Sequence, residues 1–304
     1  MEQIGGKYKG WNVRSLGNKF INLYIAPQLG GRIIQFEMDG YEFFFNNPLL
    51  MGKEPDETRL GKNGAWLNFG GEKIWPAPQG WDSPEQWPGP PDPILDSGIY
   101  SIDNECGFEN GLTLASPVDH RTELQITKEV LIPETLSMAI VNVSFCNKGK
   151  AAAKWSIWPV LQMNATGGDT NDRYRIICPV NPKSKFETGF KVMHGLANSP
   201  QYKQDAFGNL VVSYSYLVGK VGLDSNAGWM AFLDLKTGKV FALTFDYDEN
   251  EHYPENTSVQ IWTQGRGIIF SRNKIVEYKN NKKLNPSYME MEILSPLKEI
   301  KPGG

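Results

Sequence analysis

Two glutamates near the C-terminus, Glu290 and Glu292 in "YMEMEILSP", have the type and spacing for acid–base chemistry. Residues two apart on a strand share one face of a sheet, so both carboxylates lie together while Met289 and Met291 take the other face. Apolar surroundings raise the pKa of at least one such carboxylate, which suits proton transfer. The alternative is that this face is the solvated outside of the sheet. Glu292 is our first choice for a catalytic base.

The segment "GGEKIWPAPQGWDSPEQWPGPPDP", residues 70–93, holds three Trp and seven Pro. Its candidate ligand-binding residues are Glu72, Lys73, Trp75 and Trp81, because charged groups bind the hydroxyls of a sugar and an indole covers its C–H face. Proline lowers the entropy lost on ordering, so we expect an ordered segment that forms one wall of the main cleft. The alternative is a rigid packed lid with salt bridges at its rim.

Histidine and arginine supply further candidates. His120, in "SPVDHRTELQ", lies at the mouth of a predicted strand beside an acidic and a basic residue, and it is a candidate catalytic group. A surface-loop histidine is the alternative. His194 and His252 lie in irregular stretches and are weaker candidates. Arg32 follows a Gly-Gly turn, where a fixed guanidinium could hold hydroxyls or a carboxylate, or form a surface ion pair.

The elements that must position these residues are strands. Alternating apolar and polar residues predict them in "FINLYIAP", "GRIIQFEMDGYEFFF", "TELQITKEVLIPETLSMAIVNVSFCN", "KWSIWPVLQMNA", "NLVVSYSYLVGKV", "GWMAFLDLKTGKVFALTFDYD", "SVQIWTQG" and "YMEMEILSP". Asp39-Gly40 and Lys236-Thr237-Gly238 predict hairpin turns, and Pro133-Glu134 joins two strands. Pro159 argues for an edge, a bulge or an end within its strand.

Few segments depart from this pattern. We find no amphipathic helix of ten residues or more, and two stretches, residues 61–97 and 166–208, have the composition of loops. Strands at this spacing with little helix predict an all-β chain, a large and mostly antiparallel sandwich with long loops. We expect one domain over residues 1–304.

Composition excludes several functions. The 304-residue chain has a net charge of −3 and no basic stripe, so we expect no nucleic-acid partner. Cys106, Cys146 and Cys178 form neither a disulfide framework nor a zinc pattern, and the three histidines lack metal-ligand spacing. No cofactor or metal is predicted. Without a segment of about 20 apolar residues we expect no membrane partner. The location we expect is cytoplasmic, or periplasmic or secreted if a leader was removed.

Several stretches carry a family resemblance. "NLYIAPQLGGRIIQFEMDGYEFFF" resembles the opening hairpin of the galactose mutarotase-like superfamily, and "SVQIWTQG" and "YMEMEILSP" resemble its last strands. With "VNVSFCNKGKAAAKWSIWPVLQM", "NFGGEKIWPAPQGW" and "PPDPILDSG", the chain is most similar to a bacterial family of that superfamily, the DUF4380 family. The resemblance covers most of the chain and implies a β-supersandwich with a sugar-sized cleft on its concave face. It places Gln162, Lys220 and Trp262 on strands across this cleft, with sheet packing as the alternative for each.

The departures from the superfamily bear on catalysis. Mutarotases open a sugar ring with a Glu base and a His acid, assisted by a second His. The corresponding runs here, "SIWPVLQMN" and "WPGPPDPILDSG", contain no His. One hypothesis is an enzyme, an aldose 1-epimerase-like isomerase using a Glu base, or a sugar lyase. The other is a non-catalytic carbohydrate-binding module. Missing histidines favour the module, retained carboxylates favour the enzyme, and a carbohydrate is the expected partner of both. The oligomeric state stays open.

Overall fold

The computed structural model describes residues 5–55, 66–80, 82–83, 85–103, 110–170, 172–271 and 274–304. Over these residues the regular structure is β, apart from two 3-10 turns at Pro27–Leu29 and Pro254–Asn256. The strands are, in chain order, β1 (Gly5–Tyr8), β2 (Trp11–Gly17), β3 (Ile21–Ala26), β4 (Arg32–Met38), β5 (Tyr41–Glu42), β6 (Glu72–Ala77), β7 (Ser101–Asp103), β8 (Gly111–Ala115), β9 (Leu124–Leu131), β10 (Ile140–Asn147), β11 (Ala153–Asn164), β12 (Tyr174–Pro179), β13 (Lys191–Gly195), β14 (Tyr202–Gln204), β15 (Asn209–Ser213), β16 (Gly219–Leu223), β17 (Trp229–Asp234), β18 (Lys239–Thr244), β19 (Val259–Thr263), β20 (Gly267–Ser271), β21 (Lys274–Tyr278), β22 (Tyr288–Ile293) and β23 (Lys298–Ile300). The all-β prediction is confirmed. In the described ranges no helix is long and apolar enough to cross a membrane.

The chain forms two compact units, Met1–Pro159 with Lys298–Gly304, and Val160–Leu297. We call them the first and the second unit. The boundary falls inside β11, next to Pro159. Residues 153–155 of β11 pair with β23, whereas residues 160–164 pair with β22. Proline has no N–H to donate, so it suits the point where the strand changes partner.

The first unit contains two antiparallel sheets built by neighbouring strands. One has the order β1-β2-β3-β4-β5, and the other has the order β10-β9-β8-β7. The predicted turn at Asp39-Gly40 is present, with positive φ at both residues, 53° and 72°, as a tight hairpin requires. Residues 124–147 form the predicted pair β9 and β10. In contrast, residues 72–77, predicted to be loop, form the fully buried strand β6.

The second unit contains a sheet of order β13-β16-β19-β22 that continues into residues 160–164 of β11. A second sheet has the order β14-β15-β12-β17-β18, and β20 and β21 form a separate hairpin. The loop prediction for residues 166–208 is wrong, because β12, β13 and β14 lie there. "NLVVSYSYLVGKV" is also not one strand: β15 and β16 belong to different sheets, and Tyr216 between them has a φ of 55°, which no extended strand adopts.

The first sheet of the second unit has two different faces. Four of its strands, β16, β19, β22 and residues 160–164 of β11, carry predicted site residues. Val221, Ile261, Met291 and Leu161 follow one another across four strands in register, and all are buried. This face is an apolar core layer. Side chains alternate along a strand, so the neighbouring residues on each strand lie on the opposite face, and that face is polar.

Candidate functional site

The polar face of this sheet is organised around β22. Tyr288, Glu290 and Glu292 alternate with Met289 and Met291, as predicted, and the strand is paired on both sides, with β19 and with β11. Both methionines and both glutamates are buried. The carboxylates therefore do not lie on a solvated outer face. Buried charges need partners, and the neighbouring strands supply them.

Five side chains form a continuous row across the polar face. His194 lies opposite Lys220, Lys220 opposite Trp262, Trp262 opposite Glu290, and Glu290 opposite Gln162, each pair in register on adjacent antiparallel strands. We call this set the polar row. Directly opposite residues place their Cβ atoms about 5 Å apart on the same face. The row thus brings together Lys220, Trp262, Glu290 and Gln162, which the sequence had predicted as separate candidates.

The two glutamates have different partners. Glu292 Oε2 lies 2.9 Å from Nζ of Lys220, with side-chain exposures of 1% and 12%. Glu290 Oε1 accepts a hydrogen bond of 2.8 Å from Nε2 of Gln162. The ammonium of Lys220 is the partner of Glu292, whereas the amide of Gln162 orients the carboxylate of Glu290. Unequal environments of this kind separate the roles that two carboxylates can take.

Trp262 is the aromatic centre of the row. Its ring lies 6.3 Å from that of His194 and 6.1 Å from that of Tyr278, both in edge-on geometry. Its Nε1 donates to Oε1 of Gln264 at 2.9 Å. Tyr278 belongs to the β20–β21 hairpin, and burial, with the charge of Glu290, raises the pKa of its phenol. An indole whose neighbours across the sheet are a lysine and a carboxylate provides an apolar face for a sugar ring, with charged groups nearby for its hydroxyls.

His194 is the residue of this row that sequence reasoning undervalued. It lies on β13, where the register with β16 shifts between Val192 and His194. Burial lowers the pKa of His194, and the charge of Lys220 lowers it further. No local signal in the sequence indicates this position, because β13 is a short strand in a polar stretch and its pairing with β16 is non-local.

The predicted Arg32 lies in the first unit and is fully buried. Its Nε donates to the Leu29 carbonyl at 2.6 Å, its Nη1 to the Gly70 carbonyl at 2.9 Å, and its Nη2 to the carbonyl and carboxylate of Asp96. The guanidinium thus forms an internal ion pair rather than a surface one, with most of its donors used by the protein.

Glu72 and Lys128 form a second buried ion pair in the first unit. Glu72 Oε2 lies 2.6 Å from Nζ of Lys128 and accepts a hydrogen bond of 3.1 Å from the Ile33 amide. Burial lowers the pKa of Lys128, while Glu72 acts in the opposite direction. The sequence analysis did not single out Lys128, although the alternation of β9 places it on the same buried face as Leu124, Ile126 and Val130. A lysine at such a position needs a buried partner, and that is the signal that could have indicated it.

The predicted aromatic wall is largely packed. Lys73 Nζ lies 4.8 Å from the ring centre of Trp75 and 5.4 Å from that of Trp66. Trp75 is only 5% exposed, contacts the ring of Trp87 at 5.2 Å, and donates from Nε1 to Asp96 at 3.1 Å. These contacts describe an aromatic layer inside the first unit. Trp81 lies outside the described residues.

His120 is exposed in a turn before β9. In the same turn Asp119 accepts hydrogen bonds from the amide and hydroxyl of Thr122, at 2.7 and 2.6 Å. A separate surface groove of about 470 Å³, lined by Gly5–Lys7, Asn12–Arg14, Pro27 and Gln28, contains none of the predicted residues. In the described part of the chain, no group of three His, Cys, Asp or Glu side chains is arranged to hold a metal ion.

Comparison with known proteins identifies the family of this chain. A family model described as "Domain of unknown function (DUF4380)" matches residues 13–304. A sequence search of curated proteins finds no significant match.

Three solved structures illustrate the likeness in fold. A galactose mutarotase-like protein from Lactobacillus casei is 10% identical over 96% of each chain, with a TM-score of 0.53. A candidate aldose 1-epimerase from Klebsiella pneumoniae is 13% identical, over 99% of this chain and 78% of that one, with a TM-score of 0.56. A TPR-domain containing protein from Parabacteroides distasonis is 14% identical over 96% of this chain, with a TM-score of 0.53, and this chain spans 45% of its length. At such identities the likeness shows the fold alone, which is all-β, antiparallel and galactose mutarotase-like.

Proposed function

We propose a carbohydrate-binding function for this chain, which belongs to the DUF4380 family. The site we propose is the polar row of the second unit. One observation carries the proposal: an indole, Trp262, lies in register between a cation, Lys220, and a carboxylate, Glu290, on one sheet face. A sugar ring combines an apolar C–H face with a rim of hydroxyls, and this arrangement complements both.

Binding follows from the chemistry of the row. Trp262 is half-buried, so part of its ring remains accessible to a ligand. Glu290 accepts hydrogen bonds from hydroxyls, and His194 supplies a polar group on the other side of the indole. Lys220 extends across β19 and places its ammonium beside Glu292. The fold resemblance to sugar-converting proteins supports a sugar over other polar ligands, as an analogy between folds.

Aldose 1-epimerase-like isomerisation is the second candidate function. The favouring observation is that Glu290 lies on one side of Trp262 and His194 on the other, so a base and an acid would flank a sugar stacked there. A histidine that burial keeps neutral is a weak proton donor at neutral pH. We therefore place binding first, with slow or no turnover of ordinary aldoses.

The test is a binding panel of D-glucose, D-galactose and D-glucuronate, measured by saturation-transfer NMR and by thermal shift. We expect a neutral sugar to bind the unmodified protein and Trp262→Ala to weaken its affinity at least tenfold. The matched control is Trp229→Ala, because Trp229 is also a strand tryptophan of the second unit but lies 37% exposed outside the polar row. If the two variants bind the sugar equally well, the polar row is not the site. If no sugar binds the unmodified protein, the carbohydrate-binding function is rejected.

A further inference from the structure

Gln162 is a fully buried side chain with an incompletely used amide. Its Nε2 donates to Oε1 of Glu290 at 2.8 Å. Among the described residues, its Oε1 has no hydrogen-bond partner. Buried polar atoms in native proteins almost always have one, so each exception calls for an explanation.

The orientation of this amide follows from its neighbour. An ionised carboxylate only accepts hydrogen bonds, so the NH₂ group of Gln162 must face Glu290 and its carbonyl oxygen must lie on the other side. Rotating the amide by 180° would pair two acceptors. The unpaired oxygen is therefore a consequence of the Glu290 contact and not of an arbitrary choice of rotamer.

The apolar surroundings of Gln162 indicate that its unpaired amide oxygen lowers the stability of the folded protein. Its two neighbours along β11, Leu161 and Met163, lie on the apolar face and are buried. Val160, the next residue of β11 on the polar face, is fully buried too. A buried acceptor without a donor lowers stability, and groups retained at such a cost are typical of functional sites.

We propose that Oε1 of Gln162 accepts a hydrogen bond from a hydroxyl of the bound sugar and thereby determines which sugars the polar row takes. This inference rests on the proposed carbohydrate-binding function and adds the specificity-determining residue. Oε1 is buried, so a hydroxyl reaches it by displacing a covering side chain.

The ligand class follows from the donors and acceptors. Gln162 Oε1 and the Glu290 carboxylate are neighbouring acceptors, so they select ligands that offer neighbouring donors. Vicinal hydroxyls, or a hydroxyl beside an amino group, meet this requirement. Carboxylate and phosphate groups present acceptors to acceptors and are rejected. The row therefore takes neutral sugars or amino sugars at this end, rather than uronates or sugar phosphates.

The experiment compares the protein and its Gln162→Met variant on D-glucose, D-galactose and their monodeoxy derivatives, by calorimetry or competition NMR. In the unmodified protein we expect one hydroxyl whose removal weakens binding about tenfold, the value of one hydrogen bond to a buried group. In Gln162→Met the parent sugar should bind about tenfold more weakly, and the same deoxy derivative should lose nothing further. Gln204→Met on the exposed strand β14 is the control and should leave all affinities unchanged.

A conservative variant separates specificity from folding. Gln162→Glu keeps an oxygen acceptor and, by sharing one proton with Glu290, keeps a donor between the two residues. We expect it to retain the discrimination between parent and deoxy sugar that Gln162→Met loses. If Gln162→Met binds every sugar with the original ratios, or if no single hydroxyl matters to the unmodified protein, the role of Gln162 is overturned while sugar binding stands. If no sugar binds at all, both proposals fail.

Discussion

Lys220 on β16 and Glu292 on β22 form an ion pair at 2.9 Å although β19 lies between their strands. The long lysine side chain crosses the intervening strand, and both charged groups are largely removed from water. Removing either partner of such an ion pair destabilises the folded protein, because the other charge then stays buried without the partner that compensates it. Glu292, our first choice of base from sequence, is thus bound to a cation, which leaves Glu290 as the better-placed carboxylate for a ligand.

Removing one partner of this pair should destabilise the protein. We expect Glu292→Gln to lower the free energy of unfolding by about 3 kcal/mol, because the largely buried Lys220 would lose the carboxylate that lies 2.9 Å from its Nζ. Urea denaturation followed by circular dichroism measures the change. The double variant Lys220→Met/Glu292→Leu should recover most of the loss, since it removes both charges. A Glu292→Gln protein as stable as the original would show that the ion pair is not maintained in solution.

Ordinary aldoses should be turned over slowly or not at all. General acid or base assistance is worth about 100- to 10,000-fold for each group, and the histidines expected from the family resemblance are missing. Polarimetry on fresh α-D-glucose and α-D-galactose measures the rate of equilibration. Fast, protein-dependent equilibration that Glu292→Gln or Glu290→Gln abolishes would contradict this expectation and establish the isomerase.

Trp75 should matter more for stability than for binding. The sequence predicted Trp75 as a ligand-binding residue in the wall of a cleft, but its ring is buried against Trp66, Trp87 and Trp158. Replacing a buried tryptophan by alanine costs about 3–5 kcal/mol, so the variant should unfold at clearly lower urea concentration. Trp229→Ala, at a 37% exposed position, should lose far less. A stable Trp75→Ala protein with impaired sugar binding would restore the interpretation of this residue as part of a binding wall.

His194 should titrate below the ordinary histidine range. Burial disfavours its charged form first, and Lys220 does so second, while Glu255 and a hydrogen bond with the Phe270 backbone act in the opposite direction. The pKa of His194 in the folded protein lies below its unfolded value of about 6.5. Its contribution to the stability of the folded protein is therefore complete above about pH 6.5, and it is lost as the pH falls from there through the folded pKa. Imidazole NMR titration measures the pKa of His194. It should rise in Lys220→Met/Glu292→Leu, and an unchanged value would exclude an effect of Lys220.

Stability should fall at alkaline pH. Burial raises the pKa of Tyr174 and of Tyr202 to about 12. An unfolded phenol ionises near pH 10, so above about pH 10 the unfolded chain loses protons that the folded protein keeps, and unfolding becomes more favourable. The lowered pKa of Lys128 acts in the opposite sense, but it is one lysine against several buried tyrosines. Urea midpoints between pH 8 and about 11 test the sign, with absorbance of ionised tyrosine as the independent measure.

Local patterns in the sequence determined much of the fold. Alternation predicted β3, β4, β9, β10, β17, β18, β19 and β22, and Asp39-Gly40 predicted its turn, because these features depend on residues close together in the chain. The pairing of Glu290 and Glu292 on one face, opposite Met289 and Met291, followed from the period of two alone. The strand β6 and the strands between residues 174 and 204 were missed, since Pro, Gly and polar residues there obscure the alternation.

Only the tertiary structure decided which candidates meet. Alternation tells which face a side chain takes on its own strand, but the neighbour across the sheet is chosen by pairing between segments far apart in sequence. His194, Lys220, Trp262, Glu290 and Gln162 therefore become one row only when four non-consecutive pairings are in register. The same reason hides the internal partners of Arg32 and Glu72 from the sequence, because Asp96 and Lys128 lie 64 and 56 residues away in the chain.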